Sequence, residues 1–257
     1  MKWISTLMAV AGLSLVVAGT AAAESNLDKV KSSGELRIGT EGTYAPFTYH
    51  EASGALVGFD VEIGQAIAKR LGVEAKFQEG KWDGLIAGLD ADRYDTVINQ
   101  VGITEERKKK YDFSEPYIAS KAVLIVKSDN EEVKTFADLK GKKSAQSLTS
   151  NFGKLAEKNG AELVGTDGFD QSIQLVLQGR ADATINDSLS FLDFKKHKPD
   201  APVKIAAQED NADFSGIIIR KNEPELLAAI NKALEEIKAD GTYKAIADKY
   251  FGQDVSN

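Results

Sequence analysis

Beyond an N-terminal apolar run, hydrophobic and polar positions along this chain switch between two periods. Short apolar runs bounded by charged or turn residues read as buried strands, and apolar positions recurring every three to four residues read as helices. Residues 36–39, 74–77 and 96–98 have the first pattern, and 59–71 and 82–89 the second. The helix at 59–71 carries Ile63, Ala66, Ile67 and Leu71 on one face and meets a C-cap at Gly72. This order is a βαβαβ unit. A second unit follows: a strand at 143–147, a helix at about 150–159 stopped by Gly160, a strand at 163–164, and a helix at 169–178 led by Asp167.

Residues 122–127 and 214–220 read as two further strands, placed to cross between two lobes. Pro224 opens a long helix at 225–240, with Leu226, Leu227, Ile230, Leu234 and Ile237 as its apolar stripe and Gly241 as its stop. That helix is expected on the first lobe. The Lys108, Lys109, Lys110 run reads as a solvated loop.

An octet is written twice. RYDTVINQ at 93–100 returns as RADATIND at 180–187, keeping R-x-D-x-x-I-N-x. Each copy ends a βαβαβ unit, so the repeat predicts two similar sheets whose carboxyl ends face one another. Ligands of open α/β sheets collect beyond those ends. Arg93/Arg180, Asp95/Asp182 and Ile98/Ile185 are then scaffold positions shared by the two lobes.

The N-terminus predicts the compartment. Lys2, an apolar stretch at 4–18 and the A-x-A site at 21–23 form a cleavable signal peptide, residues 1–23. The chain has no cysteine, which removes disulfides, thiolate chemistry and a lipid-anchor cysteine. A soluble periplasmic protein is the expectation. The net charge of −7 argues against nucleic-acid or anionic-lipid partners.

Enzyme and metal signatures are missing. His50 and His197 are the only histidines, which disfavours a histidine triad and excludes a His-rich metal site. There is no G-x-S-x-G or G-x-G-x-x-G, and Gly141-Lys142-Lys143-Ser144 lacks the earlier glycine of a P-loop. No carboxylate pair stands out as an acid and base. No cofactor and no catalytic residue is expected.

Several longer motifs then become specific. VINQVGITEERKKKYDFSEPY at 97–117, GTEGTYAPF at 39–47, GFDVE at 58–62 and GRADA at 179–183 with Asp187 resemble the signatures of the periplasmic polar amino-acid-binding proteins of ABC importers, solute-binding protein family 3. The resemblance covers essentially the whole mature chain. EGTY at 41–44, KWDGL at 81–85, NQV at 99–101, SAQSLTSNFG at 144–153 and NDS at 186–188 are most similar to its L-cystine-binding branch.

The resemblance implies a type II, two-lobed α/β periplasmic-binding-protein fold. Each lobe would be a mixed sheet flanked by helices, and two crossing strands would join them. Residues 24–121 with 214–257 would form lobe one and 122–213 lobe two. It implies an interlobe cleft for L-cystine or cysteine, delivery to an inner-membrane ABC permease, and a monomer. Another polar amino acid is the alternative ligand, and a periplasmic cyclohexadienyl dehydratase-like enzyme is the alternative of a different class.

By position, Arg107 would grip the ligand carboxylate and Asp187 its ammonium, with Asp187 also able to cap a helix. Gly102 would offer its backbone N–H, where many relatives have Ser, and Thr104 its hydroxyl. Thr149 and Ser150 would open a helix whose free N–H groups favour an anion, although a plain cap would also explain Ser150. Tyr44 and Trp82 would pack on the ligand side chain, core packing being the bland reading of each. Glu41 would receive the second ammonium of cystine, and Gln100 completes the expected ligand-binding set.

Overall fold

The computed structural model describes residues 24–256, so the expected signal peptide at 1–23 lies outside the described residues. Two five-stranded sheets share one plan. In the first, Glu74–Glu79, Glu35–Thr40 and Thr96–Val97 run parallel, followed by antiparallel Ile218–Arg220 and then Tyr111–Phe113. In the second, Glu162–Gly165, Lys143–Gln146 and Ala183–Asp187 run parallel, followed by antiparallel Ala122–Lys127 and then Val203–Gln208. The antiparallel strand of each sheet is the one the chain enters after crossing from the other lobe. These are the two sheet-containing lobes of the type II fold.

The twice-written octet holds the same joint in both sheets. Asp95 Oδ2 accepts from the backbone N–H of Arg37 at 2.9 Å, and Asp182 Oδ2 accepts from that of Lys143 at 2.7 Å. Each aspartate returns its own backbone N–H to the same residue, at 2.9 Å and 2.8 Å. The repeated aspartate thus ties its own strand to the first parallel strand of its lobe, at Arg37 within Glu35–Thr40 and at Lys143 opening Lys143–Gln146. Ile98 and Ile185 are both buried below each sheet's end.

Helix Phe59–Leu71 forms within its predicted bounds, with Gly72 in the left-handed region as its C-cap. Helix Pro224–Ala239 buries Leu226, Ile230, Leu234 and Ile237 against lobe one. A helix not foreseen, Thr242–Phe251, adds Tyr243, Ile246 and Ala247 to that core. In lobe two the strand Ala122–Lys127 alternates its faces, sending Val123 and Ile125 into one core and Ala122, Leu124 and Val126 into the other.

Several expectations are corrected. Residues 214–220 are two short strands, Asp213–Ser215 and Ile218–Arg220, interrupted at Gly216 where the chain leaves the crossing and enters the sheet. The crossings are Ile118–Ser120 and Asp213–Ser215, paired antiparallel, whereas Ala122–Lys127 belongs wholly to the second sheet. The Lys108, Lys109, Lys110 run is the last turn of a helix, Glu105–Lys110, not a loop. Its glutamates sit in the first turn and its lysines in the last, the order the helix dipole favours. Asp167 does not lead the following helix; Gly168 is the N-cap and Asp167 pairs with Lys81 at 2.6 Å. His50 ends the strand Thr48–His50 and His197 ends the helix Ser188–His197.

Candidate functional site

Between the lobes, at the carboxyl ends of both sets of parallel strands, lies a cavity. Lobe one contributes Glu41 just past strand Glu35–Thr40, Tyr44, Trp82, and Asn99 and Gln100 just past Thr96–Val97. Lobe two contributes Gln146, Ser147, Ser150, Asn151 and Phe152 from the loop and helix after Lys143–Gln146. Gly168, Phe169, Ser172 and Asn186 complete the wall.

The two asparagines of the octet organise the two sides. Asn99 Oδ1 accepts from the backbone N–H of Glu41 at 2.7 Å, while its Nδ2 donates to Glu41 Oε2 at 2.6 Å. Asn186 Oδ1 accepts from the Tyr44 hydroxyl at 2.7 Å, a hydrogen bond that spans the cleft. Neither asparagine was singled out from sequence as a site residue. Their matching place in the repeat was the available signal.

Charge in the cleft is unbalanced in a particular way. Burial pushes the Glu41 carboxyl up to about 7, against the pull of its Asn99 hydrogen bond. Burial likewise raises Asp187 to about 6 and Asp60 to about 7. None of the three makes an ion pair with a cation among the described residues. Burial also lowers Arg107 to about 10, and its guanidinium has no carboxylate partner among the described residues. It stacks over the Trp82 ring at 5.2 Å and donates to the Gly102 carbonyl at 2.9 Å. A desolvated cation and desolvated anions without counter-ions are costly unless a ligand supplies both charges.

Of the expected residues, Glu41, Tyr44, Trp82, Gln100 and Ser150 border the cavity. Arg107 and Gly102 are not in the wall but adjoin it, Arg107 over the ring of Trp82 and hydrogen-bonded to the Gly102 carbonyl. A Cβ on Gly102 would stand 3.5 Å from both Arg107 Nη1 and Asn151 Nδ2, so a serine fits there without a clash. Thr104 caps the helix Glu105–Lys110 by accepting from the Arg107 backbone N–H, and so orients Arg107. Ser150 caps the helix Asn151–Lys158 through Gly153 while also facing the cavity.

Thr104, Asp187 and Thr149 also stand apart from the wall. Asp187 lies directly behind Asn186, where it caps the helix Ser188–His197 through Leu189 and Ser190 and accepts from the Ser120 hydroxyl. Thr149 is exposed at the mouth, hydrogen-bonded to Asp83 of the other lobe. Two buried polar atoms of the wall, Trp82 Nε1 and Gln100 Oε1, have no partner among the described residues.

The profile of the bacterial extracellular solute-binding proteins, family 3, matches residues 36–253. The chain belongs to this family. Within family 3, the L-cystine-binding protein TcyA of Bacillus subtilis (strain 168) is 47% identical over 228 residues, covering 88% of this chain and 85% of that protein. The L-cystine solute receptor of Neisseria gonorrhoeae, solved in an unliganded open conformation, is 48% identical over 90% of this chain and 99% of its own, with a TM-score of 0.59. An ancestral arginine-binding protein bound to arginine is 43% identical over 85% of this chain and 99% of its own, with a TM-score of 0.80. The higher-identity chain superimposes less well, which is what a rotation of one lobe against the other produces in a two-lobed family 3 fold.

Proposed function

We propose that this protein is the periplasmic substrate-binding component of an ABC amino-acid importer. It is exported through a cleaved signal peptide, holds L-cystine or cysteine between its lobes, and hands it to the inner-membrane permease. The observation that carries this reading is Arg107, a half-buried guanidinium stacked over Trp82 of the cavity wall and without a carboxylate partner among the described residues, beside a cleft whose buried Glu41 has no cation among them. A zwitterionic amino acid supplies both missing charges. The cystine-binding relatives support the choice of ligand within that class.

In this reading Arg107 forks onto the ligand carboxylate, oriented by Thr104 and stacked on Trp82. The start of the helix Asn151–Lys158, at Thr149 and Ser150, adds its positive end, and the backbone of Gly102 completes the carboxylate site. Asp187 supplies the negative field behind Asn186 for an ammonium. Glu41 receives the second ammonium, which cystine has and most amino acids lack. Tyr44 and Trp82 pack on the ligand's middle. Residues 24–121 with 214–257 and residues 122–213 act as two jaws that close by bending at the paired crossings. Closure is selected because the ligand bridges groups on both jaws.

The test is intrinsic fluorescence. With residues 1–23 removed, Trp82 is the only tryptophan and it borders the cavity. Titration with a panel of amino acids should give a saturable signal with L-cystine at the lowest concentration. Saturation by arginine or glutamine with no response to cystine overturns the ligand assignment.

One observation favours a second reading. A buried carboxyl raised to about 7, as at Glu41, is what a general acid needs at neutral pH. Turnover of arogenate or prephenate would establish the dehydratase-like alternative and overturn a purely binding role.

A further inference from the structure

Gln100 is held in an unusual way. Its backbone adopts φ of +52°, a region that non-glycine residues seldom occupy and that persists where surrounding structure enforces it. The enforcing group is Asp60, on the first turn of the helix Phe59–Leu71 and fully buried. Asp60 Oδ2 accepts from the Gln100 backbone N–H at 2.7 Å, and Asp60 Oδ1 accepts from Gln100 Nε2 at 2.9 Å. The Tyr117 hydroxyl donates the third hydrogen bond to Asp60, at 2.9 Å, from the residue preceding the crossing Ile118–Ser120.

This arrangement fixes which end of the amide is bound to Asp60 and which is left over. A glutamine side chain can normally turn its oxygen and nitrogen either way, and only the hydrogen-bond network decides. Asp60 accepts from the Gln100 N–H on one oxygen and from the Tyr117 hydroxyl on the other, and in its ionised form it has no donor to offer, so it takes the amide nitrogen. The oxygen is left over. Gln100 borders the cavity, it is 8% exposed, and its Oε1 is buried with no partner. An orphaned buried acceptor of this kind is a demand for a donor.

We infer that Gln100 Oε1 is the acceptor for an ammonium hydrogen of the bound amino acid, and that Asp60 is the positioning residue that holds the amide in that sense. The inference rests on the reading of the cleft as an amino-acid site and deepens it by naming an atom that recognises the amine. It also assigns a role to the GFDVE segment, which composes no part of the cavity wall. A ligand with carboxylates and no amine leaves Oε1 unpaired and is rejected for that reason, as sites built around a buried hydrogen bond reject analogues lacking it.

The experiment compares two ligands by calorimetry on the mature protein: L-cystine and 3,3′-dithiodipropionate, which keeps both carboxylates and the disulfide but has no amine. Gln100→Met should weaken cystine by about tenfold or more while changing the des-amino ligand by less than about threefold, so that discrimination shrinks. Asp60→Asn should shrink it in the same direction by a smaller factor, because an asparagine amide can present either sense and lets Gln100 turn. A loosened fold would weaken both ligands alike, so the ratio separates positioning from a merely structural role. If Asp60→Asn fails to fold, Gln100→Met alone decides. Unchanged discrimination in Gln100→Met overturns the inference. Should the wild-type protein prefer another amino acid, the cystine assignment falls, and the same ratio measured with that amino acid and its des-amino counterpart still judges Gln100.

Discussion

Asp83 and Thr149 lie on opposite lobes and are joined by two hydrogen bonds. Asp83 Oδ1 accepts from the Thr149 backbone N–H at 2.9 Å and from its hydroxyl at 2.8 Å, and Asp83 Oδ2 accepts from the Leu148 N–H at 3.3 Å. The same mouth carries Lys81 paired with Asp167 at 2.6 Å and Lys154 paired with Glu106. These bonds exist only while the lobes are together, and their partners border the cleft without lining it.

Removing the latch should therefore shorten the life of the closed state without changing what it prefers. Asp83→Ala is expected to weaken the ligand by about five- to tenfold, mainly through faster release. The order of affinities across an amino-acid panel should stay as it is. Stopped-flow release measurements check this, and a changed order would place Asp83 in contact with the ligand.

Arg107→Ala should cost far more. Truncating one partner of a buried charge pair typically costs about 2–5 kcal/mol, because the other charge is left buried and unpaired. Arg107→Lys should recover only part of that, since a lysine cannot fork onto a carboxylate. Calorimetry reads the loss directly. Near-wild-type affinity in Arg107→Ala would remove Arg107 from the site.

The buried carboxyls predict a pH dependence whose sign is fixed by their direction. Glu41 and Asp60 are raised to about 7 and Asp187 to about 6, so the folded protein binds their protons more tightly than the unfolded chain. Stability of the ligand-free protein should fall as pH rises from about 4 to 7, the window between the ordinary carboxyl values and the folded ones. The exposed His50, raised by Glu79, acts in the same direction. Glu41→Gln should flatten the profile while keeping His50 intact. Ligand ammonium groups favour the ionised carboxyls, so affinity should rise over the same window and binding near pH 6.5 should release protons. Calorimetry in buffers of different ionisation enthalpy measures that release.

The repeated aspartates make a stability prediction. Asp95→Ala and Asp182→Ala each leave a strand N–H, that of Arg37 or Lys143, without its acceptor. Each should cost about 1–3 kcal/mol in urea unfolding, with little effect on ligand preference. A neutral Asp95→Ala, at a residue 3% exposed, would contradict the joint described for it.

Much of this fold was legible because its signals are local. Helix Phe59–Leu71 is bracketed by glycines at both ends and striped between them, so pattern and punctuation agree. The strand Val203–Gln208 was not legible, since an edge strand with a bulge between Ile205 and Ala207 breaks the alternation that identifies strands. The helix Glu105–Lys110 escaped for a different reason: it buries nothing, so it leaves no apolar stripe. At the site, Glu41, Tyr44, Trp82, Gln100 and Ser150, expected there from the resemblance of their motifs to the binding-protein signatures, border the cavity. Asp83 was not legible, because a bond across a cleft leaves no spacing in the chain. The Asp60 bonds to Gln100 were hidden for the same reason, 40 residues of sequence separating the two.

The two crossings pair as Asp213 with Ser120, Phe214 with Ala119 and Ser215 with Ile118. A hydrogen-bonded two-stranded ribbon resists sliding and splaying, and yields mainly to bending and twisting about one soft direction. In the proposed closure the jaws then have one dominant coordinate rather than six. A single pair of distance labels, one per lobe, would follow the whole opening and closing of the molecule, and every state along it could be ordered on one axis.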